Sequence, residues 1–190
     1  MTKCLILGVD QPVAQLVAKQ LTEMTVIGFS EMDKTADFHG DARKAATYLD
    51  VISGVDVIYS DFTGMDVDWK LEAVFTALRQ KQQQVRTVMR SVAGIDEEVT
   101  DTLTYPGVAD VDEFLKQQRY GIKIVDETEM PYTVLRPIID DQNGEGEVQL
   151  INEGQPVPDK PVTEAAFARV VADELQNGTH INQSIAVVGK

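Results

Sequence analysis

The stretch LILGVDQPVAQLVAKQL, residues 5–21, passes from an apolar run into a helical pattern through a single glycine, Gly8. A short, continuous apolar run that ends in glycine is typical of a strand buried on both faces of a parallel sheet. Pro12 suits the first position of a helix, and the apolar residues after it share one helical face. The stretch therefore predicts a strand, a tight turn and a helix, in that order.

The same alternation continues along the chain. Predicted strands lie at 24–30, 55–61, 85–92, 131–139 and 184–189, with a weaker extended piece at 36–39 and an extra strand within 140–154. Predicted helices open at Asp41, run from Asp66 or Asp68 to about Gln83, span 110–127, and run from a Thr163 N-cap to Asn177 and Gly178. Strands alternating with helices predict right-handed βαβ units. The predicted fold class is α/β, a doubly wound, parallel, Rossmann-like sheet in three α/β/α layers, forming a single domain over residues 1–190.

The charge balance limits the partners. Seventeen basic against thirty-one acidic residues give a net charge of −14, which repels nucleic acid and anionic membrane surfaces. We therefore predict neither a nucleic-acid partner nor a membrane partner. The same charge opposes a phosphate-rich ligand unless backbone amides and a helix terminus compensate for it locally.

Cysteine use and hydropathy indicate the compartment. Cys4 is the only cysteine and stands in a strand-like apolar run, which predicts a buried, unreactive thiol. The first residues lack the length of a secretion signal, and no segment approaches the roughly eighteen apolar residues of a membrane span. We predict a cytoplasmic protein. The sequence does not decide the oligomeric state, and neither His39 nor His180 has neighbours at metal-ligand spacing, so no metal is predicted.

Six stretches, taken in order, resemble a known family. They are the strand-turn-helix at Gly8, HGDA at 39–42, GVDVIYS at 54–60, VMRSVAGI at 88–95, PYTVLRPII at 131–139 and PVTEAAFARVVADEL at 161–175. Together they resemble the atypical short-chain dehydrogenase/reductase superfamily, specifically its small NmrA-like NAD(P)-binding proteins with flavin and biliverdin reductase relatives. Thr133 with Arg136 and Pro137 is the most specific part of the set.

The resemblance implies a dinucleotide cofactor, NAD or NADP, and assigns its contacts. The pyrophosphate would lie at the first turn, the adenine at HGDA, the ribose after the fourth strand, and the nicotinamide beside the end of PYTVLRPII. The cofactor-binding residues that follow by position are Gly8, Asp10, Gln11, Pro12, Val13, Ser30, Asp41, Ala42, Ser60, Asp61, Phe62, Pro137 and Ile138. Asp41 is equally well explained as a helix cap.

The first turn departs from the family pattern. Gln11 stands where the second family glycine lets backbone approach the pyrophosphate, Asp10 adds a negative charge, and Pro12 lacks an amide donor. Gly8 is explained either by cofactor binding or by the sharp turn alone. After the second strand, Glu31 serves the ribose of NAD if the register slips by one residue, Lys34 is a weak candidate for NADP, and a solvated loop is the remaining explanation.

The catalytic pair of the superfamily, Tyr-x-x-x-Lys, is replaced. In the family register its positions hold Phe114 and Gln118. Tyr120 and Lys123 lie nearby with a spacing of three, as an acid/base pair or as a surface pair, and Ser91 is the hydroxyl expected in the reaction pocket. Arg136 is predicted to hold either an anionic group or an acidic loop.

Two functions remain open from the sequence. Hydride transfer to a planar acceptor such as a flavin or quinone needs mainly positioning, so a reductase does not require the missing pair. The alternative is a non-catalytic dinucleotide sensor or protein-interaction module with a degenerate cofactor loop. A sugar-nucleotide epimerase is disfavoured, because that chemistry relies on the absent tyrosine and lysine. The expected partners are thus a dinucleotide and a planar substrate.

Overall fold

The computed structural model describes residues 1–100, 103–140 and 144–190. Its strands are β1 Lys3–Leu7, β2 Thr25–Ser30, β3 Phe38–His39, β4 Val57–Ser60, β5 Arg86–Arg90, β6 Tyr132–Pro137, β7 Ile139–Asp140, β8 Val148–Asn152, β9 Val162–Thr163 and β10 Gln183–Gly189. Its helices are α1 Pro12–Gln20, α2 Ala45–Tyr48, α3 Val67–Lys81, α4 Val111–Asp126 and α5 Glu164–Asn177.

Eight strands form the central sheet in the order β3-β2-β1-β4-β5-β6-β10-β8. All neighbours pair in parallel except β8, which is antiparallel to β10. The short strands β7 and β9 pair separately. The chain builds outward from β1 to β3 and then returns to β4 on the other side of β1, so the strand order reverses between β1 and β4. This confirms the predicted doubly wound α/β fold and marks the edge where ligands bind in such sheets.

Strand β1 is buried on both faces, as its continuous apolar run predicts. Leu5 and Leu7 join one core cluster, which includes α2, α3 and α4, while Cys4 and Ile6 join a second cluster with α1 and α5. Each buried aliphatic side chain of this kind stabilises the fold by about 1.5–3 kcal/mol relative to exposure. Cys4 is fully buried, and this burial raises the pKa of its thiol to about 12.

Helix ends show where local sequence signals hold. Pro12 occupies the start of α1, and the Thr163 hydroxyl accepts a hydrogen bond from the Ala166 amide at 3.1 Å to cap α5. Gly178 ends α5 with φ of 60°. These three predictions are confirmed.

One predicted helix start, at Asp41, and one predicted helix cap, by Asp66, are wrong. Helix α2 is a single turn that begins at Ala45, because the Asp41 carboxylate accepts the Arg43 amide at 3.0 Å and closes a separate turn before it. Asp66 precedes α3 with φ of 65° and makes no side-chain cap; its carboxylate lies 3.6 Å from the Arg43 guanidinium instead.

The extra strand predicted within 140–154 is found as β8, although 141–143 lie outside the described residues. In the part of the chain that the structure describes, no helix has the length and apolar character needed to cross a membrane.

Candidate functional site

The turn after β1 lies at the point where the strand order reverses. The amides of Gly8 and Val9 both donate to the Phe29 carbonyl at 2.9 Å, and the Gln11 amide donates to the Gly8 carbonyl at 2.9 Å. Gly8 has φ of +79°, and a Cβ atom there would lie 3.3 Å from the Asp61 carbonyl oxygen. The turn is therefore held by its own hydrogen bonds and requires glycine at its first position.

A second glycine, Gly28 in β2, allows this turn to pack closely against the strand. A Cβ atom at Gly28 would lie 2.8 Å from the Val9 side chain, closer than real Cβ atoms come to their neighbours. The Val9 side chain thus occupies the space that the missing side chain of Gly28 leaves. Sequence reasoning missed this contact, since a lone glycine in a strand gives no indication of which side chain approaches it.

The first turn of α1 offers few free donors. Pro12 has no N–H, and the Ala14 amide donates to Asp61 Oδ2 at 3.2 Å. Among the described residues this leaves the Val13 amide as the donor of that turn without a protein partner. Gln11 Nε2 lies 3.4 Å from Asp10 Oδ2 beside the same turn. A phosphate at this terminus would meet one amide and two polar side chains.

A cavity of about 80 Å³ opens where the loops after β1, β2 and β4 meet the start of α3. It is lined by Gly8, Asp10, Gln11, Glu31, Met32, Asp61, Phe62, Thr63 and Lys70. Five of the sequence-predicted residues, Gly8, Asp10, Gln11, Asp61 and Phe62, are thereby brought together. The cavity is smaller than the roughly 300–1,000 Å³ of most small-molecule pockets. A nucleotide bound here would have to displace exposed side chains at the cavity mouth.

Glu31 and Lys70 form the polar wall of this cavity. Lys70 Nζ lies 2.5 Å from Glu31 Oε2 and 5.3 Å from the centre of the Phe62 ring. The other carboxylate oxygen, Oε1, accepts the Ala42 amide at 3.3 Å. Glu31 directly follows the last residue of β2, near where an acidic residue binds the ribose hydroxyls in Rossmann folds. A ribose contact of Glu31 itself stays a prediction. Lys70 was missed, because it comes from a helix almost forty residues further along the chain.

The other residues predicted around the adenosine differ in accessibility. Ala42 is buried and donates its amide to Glu31, whereas Asp41 is half-buried and lies 3.3 Å from Lys44 Nζ. The hydrogen bond from the Arg43 amide lowers the pKa of Asp41, and Lys44 acts in the same direction. The Asp41 carboxylate therefore caps a separate turn, and not the helix that the alternative explanation named.

Ser30 and Ser60 do not present their hydroxyls to the cavity. Ser30 is fully buried, and its Oγ accepts the amides of Met32 and Asp33 at 3.0 and 2.8 Å. Its side chain closes the turn after β2, and the expected cofactor contact of Ser30 stays a prediction. Ser60 is also fully buried, and its Oγ has no hydrogen-bond partner among the described residues.

Asp61 is a fully buried carboxylate directly beneath the first turn. Its Oδ1 accepts the Tyr59 hydroxyl at 2.8 Å and Arg90 Nη1 at 3.0 Å, while Oδ2 accepts the Ala14 amide. Burial raises the pKa of Asp61, and Arg90, Tyr59 and Ala14 counteract that rise in part. Arg90 also lies with its guanidinium 5.8 Å from the Phe167 ring centre. Arg90 was missed by sequence reasoning, since an arginine at a strand end has no distinctive pattern.

Ser91 lies on the opposite face of the same strand end. Its hydroxyl donates to Gln118 Oε1 at 3.1 Å, and Gln118 Nε2 lies 3.4 Å from the Gly64 carbonyl oxygen. Phe114 is buried and packs on Tyr105, with ring centres 5.0 Å apart. The two positions of the missing catalytic pair therefore hold an aromatic ring and an amide, neither of which exchanges protons near neutral pH. Among the described residues, the side chain that Ser91 contacts by a hydrogen bond is the amide of Gln118 and not a base.

Tyr120 and Lys123 form a surface pair on α4. Tyr120 is 56% exposed. Lys123 Nζ lies 3.5 Å from Glu127 Oε1 and 5.9 Å from the Tyr120 ring centre. Neither residue lines the cavity at the strand ends. The acid/base interpretation of this pair is therefore replaced by the surface-pair alternative.

The end of β6 is occupied by structural contacts. Arg136 is 1% exposed and forms an ion pair with Glu98, with Asp96 3.8 Å away. It holds the acidic loop after β5, which resolves the two alternatives for this arginine. Pro137 is buried and its carbonyl accepts the Ala93 amide at 3.3 Å, while the Ile138 amide donates to Val187. Neither residue lines the small cavity.

Within residues 1–100, 103–140 and 144–190, no group of three or more His, Cys, Asp or Glu side chains is arranged to hold a metal ion.

The sequence matches a known protein family. A family model described as NAD(P)H-binding matches residues 13–178. No curated protein sequence matches the chain.

Solved structures share the fold across nearly the whole chain. A short-chain dehydrogenase/reductase from Veillonella parvula, solved in complex with NADP, has a TM-score of 0.82 at 19% identity, covering 98% of this chain and 94% of that chain. A Rossmann-fold NAD(P)-binding family protein from Shigella flexneri has a TM-score of 0.79 at 21% identity, covering 100% and 94%. An anaerobillin reductase from Escherichia coli has a TM-score of 0.81 at 15% identity, covering 99% and 97%. At these identities the likeness is one of fold.

Proposed function

Because the chain belongs to the NAD(P)H-binding family whose model spans residues 13–178, we propose that it is an NAD(P)-dependent reductase of the NmrA-like group. In this proposal it transfers hydride to a small planar acceptor such as a flavin or a quinone, acts in the cytoplasm, and uses its whole length as one domain. The observation that carries the proposal is the meeting of the Gly8 turn, Glu31, Phe62 and Lys70 around one cavity, at the edge where the strand order reverses.

The residues at this cavity suit a dinucleotide. The backbone of Gly8 leaves the open surface on which a pyrophosphate lies in Rossmann folds, and the Val13 amide is a donor directed out of the first turn of α1. Glu31 and Lys70 offer an acceptor and a cation for the ribose hydroxyls, and the Phe62 ring forms an apolar floor. Gln11 and Asp10 reduce the affinity, because they crowd the phosphate position with side chains and negative charge.

The chemistry would depend on positioning. A bound reduced nicotinamide supplies the hydride in this class of enzyme. The chain's own residues then have to hold the acceptor flat, exclude water from one face and leave the other face open. Ser91 is placed to orient an acceptor by a hydrogen bond after rotating away from Gln118, and solvent supplies the proton, since no acidic side chain is positioned beside Ser91 in the described residues.

Direct titration tests the proposal. Trp69 is the only tryptophan and is 65% exposed. It does not line the cavity, but it is the chain neighbour of Lys70, which does. Binding of NADH or NADPH should therefore quench Trp69 emission by energy transfer to the reduced nicotinamide, with a matching calorimetric signal. The absence of both signals with either dinucleotide at low millimolar concentration contradicts the proposal.

A second candidate function is a dinucleotide sensor without catalysis. It is favoured by Phe114 and Gln118 at the positions of the catalytic pair, and by the hydrogen bond that already occupies Ser91. The two functions separate in one assay, in which NADPH oxidation is followed with FMN or a quinone as acceptor. Oxidation that slows in Ser91→Ala supports the reductase. Binding without oxidation by either acceptor supports the sensor.

A further inference from the structure

The ion pair between the half-buried Arg90 and the fully buried Asp61 is not explained by packing alone. Arg90 carries five N–H donors in a planar fork, and Nη1 donates to Asp61 Oδ1 at 3.0 Å. Its Nε is buried and has no hydrogen-bond partner among the described residues. The guanidinium therefore has at least one N–H donor without a partner, and its partner Asp61 lies beside the turn where the proposed cofactor carries its phosphates.

The position of Asp61 links this arginine to the dinucleotide turn. One oxygen of Asp61 accepts from Arg90 and the other from the Ala14 amide in the first turn of α1, at 3.2 Å. The carboxylate thus lies between a guanidinium and a helix N-terminus, both of which are well suited to binding phosphate. It also lines the cavity together with Gly8 and Gln11.

The negative charge around the cavity opposes binding of a phosphate. The net charge is −14, and Asp10, Glu31 and Asp61 all line the cavity. Lys70 is already paired with Glu31 at 2.5 Å. A phosphate-bearing ligand therefore needs a further cation, and Arg90 is the arginine in contact with a residue of the cavity wall.

We propose that Arg90 is a phosphate-binding residue for the dinucleotide and that Asp61 is an internal competitor that holds Arg90 in place until the ligand arrives. On binding, the phosphate oxygens accept the guanidinium donors that are unused or directed at Asp61. Asp61 is thus a positioning residue that also weakens binding by its negative charge. This inference rests on the proposed function, because it assumes that the ligand is a dinucleotide.

The test uses opposite effects of two substitutions. Arg90→Gln should weaken NADH binding about tenfold or more, as expected for loss of a charge-assisted hydrogen bond. Asp61→Asn should tighten NADH binding several-fold, because it removes the competing charge and frees the guanidinium. A residue that only supports the fold would weaken binding in both variants. Arg90→Lys, which keeps the charge, should recover part of the lost affinity.

Matched controls remove the effect of net charge. Arg79→Gln changes the charge equally at an exposed pair with Glu72, and Asp173→Asn does so at the exposed surface of α5. Inorganic pyrophosphate should displace NADH from the wild-type chain at lower concentrations than from Arg90→Gln. Calorimetry and Trp69 energy transfer measure each affinity without any turnover.

The outcomes separate the two proposals. Failure of the wild-type chain to bind NADH or NADPH overturns the proposed function itself. Binding by wild type with equal affinity in Arg90→Gln and Arg79→Gln overturns only the role of Arg90. Weaker binding in a folded Asp61→Asn variant overturns the competitor role. If Asp61→Asn does not fold, the series of Arg90→Gln, Arg90→Lys and Arg79→Gln decides the role of Arg90 by itself.

Discussion

Two buried carboxylates, Asp61 and Glu174, lie at opposite ends of the strands of the central sheet. Glu174 lies near the amino ends of the strands and accepts hydrogen bonds from the Thr133 and Thr179 hydroxyls and from both the amide and the ring of His180, all within 3.1 Å. Asp61 lies at the carboxyl ends and accepts three donors, one of them from an arginine whose own Nε is unpartnered.

The pKa values of the two groups shift in opposite directions. Burial opposes ionisation of Glu174, but the hydrogen bonds from His180, Thr133 and Thr179 together outweigh it and lower its pKa. Burial dominates at Asp61 and raises its pKa. A fully satisfied network of this kind makes a rigid structural connection, whereas an incompletely compensated charge at a strand end is typical of a functional site.

Removal of the Glu174 carboxylate has the largest expected effect on stability. Glu174→Ala leaves two hydroxyls, a backbone amide and the His180 ring without their buried acceptor. We expect a loss of about 3 kcal/mol in the free energy of unfolding, measured by urea denaturation. The neighbouring exposed substitution Asp173→Ala should cost far less. NADH affinity of the folded fraction should stay unchanged, and a large change in that affinity would remove the distinction between the two ends of the strands.

The turn above Asp61 gives a smaller effect. Gly8→Ala places a Cβ atom 3.3 Å from the Asp61 carbonyl oxygen at φ of +79°. We expect a loss of roughly 1–2 kcal/mol from backbone strain and contact together. Gly54 has a similar φ of +74° with nothing within 4 Å of its added Cβ, so Gly54→Ala measures the strain alone. Equal losses in the two variants would show that the contact with Asp61 does not matter.

A third carboxylate, Glu31, should affect selectivity more than stability. Glu31→Gln removes a negative charge at the proposed ribose site and leaves Lys70 free to meet a 2′-phosphate. We expect the ratio of NADPH affinity to NADH affinity to rise a few-fold, with a change in stability below about 1 kcal/mol, as is usual for accessible ion pairs. Glu72→Gln, which breaks the exposed pair with Arg79, serves as the control and should leave the ratio as it is.

Glu174 and Asp61 should make small, opposite contributions to the pH dependence of the free energy of unfolding. The lowered pKa of Glu174 contributes stability that is present above its unfolded value of about 4.3 and is lost as pH falls through the folded pKa. The raised pKa of Asp61 contributes stability that is present below its unfolded value and is lost as pH rises through the folded pKa. The free energy of unfolding of Glu174→Gln and of Asp61→Asn, measured at several pH values, should each lack the contribution of the substituted group.

The fold was predictable because its signals are local. The apolar run before Gly8, Pro12 at the start of α1 and the Thr163 cap of α5 each determine their own element from a few neighbouring residues. The start of α2 was not predictable in the same way, since Asp41 caps equally well a turn or a helix, and only the Arg43 amide decides between them. Asp66 is a similar case, because it stands directly before α3 while its carboxylate pairs with Arg43 instead of capping the helix.

The candidate site was only half predictable, for a different reason. Gly8, Gln11, Asp61 and Phe62 follow strands directly, so a resemblance in sequence order locates them. Lys70 and Arg90 act across the sheet on partners that are tens of residues away, and no spacing along the chain indicates such contacts.

The buried thiol of Cys4 has a consequence for how opening of this protein can be timed. A thiol with a pKa near 12 and no exposed surface in the middle of β1 is protected from alkylating reagents while the sheet is closed. When the reagent is concentrated enough that alkylation outpaces reclosing, modification should proceed at the rate at which β1 becomes exposed. Mass spectrometry then counts the molecules that have opened. Because the Gly8 turn directly follows β1, a ligand bound at this turn should slow the alkylation of Cys4. The labelling rate of this single cysteine therefore reports whether the site is occupied.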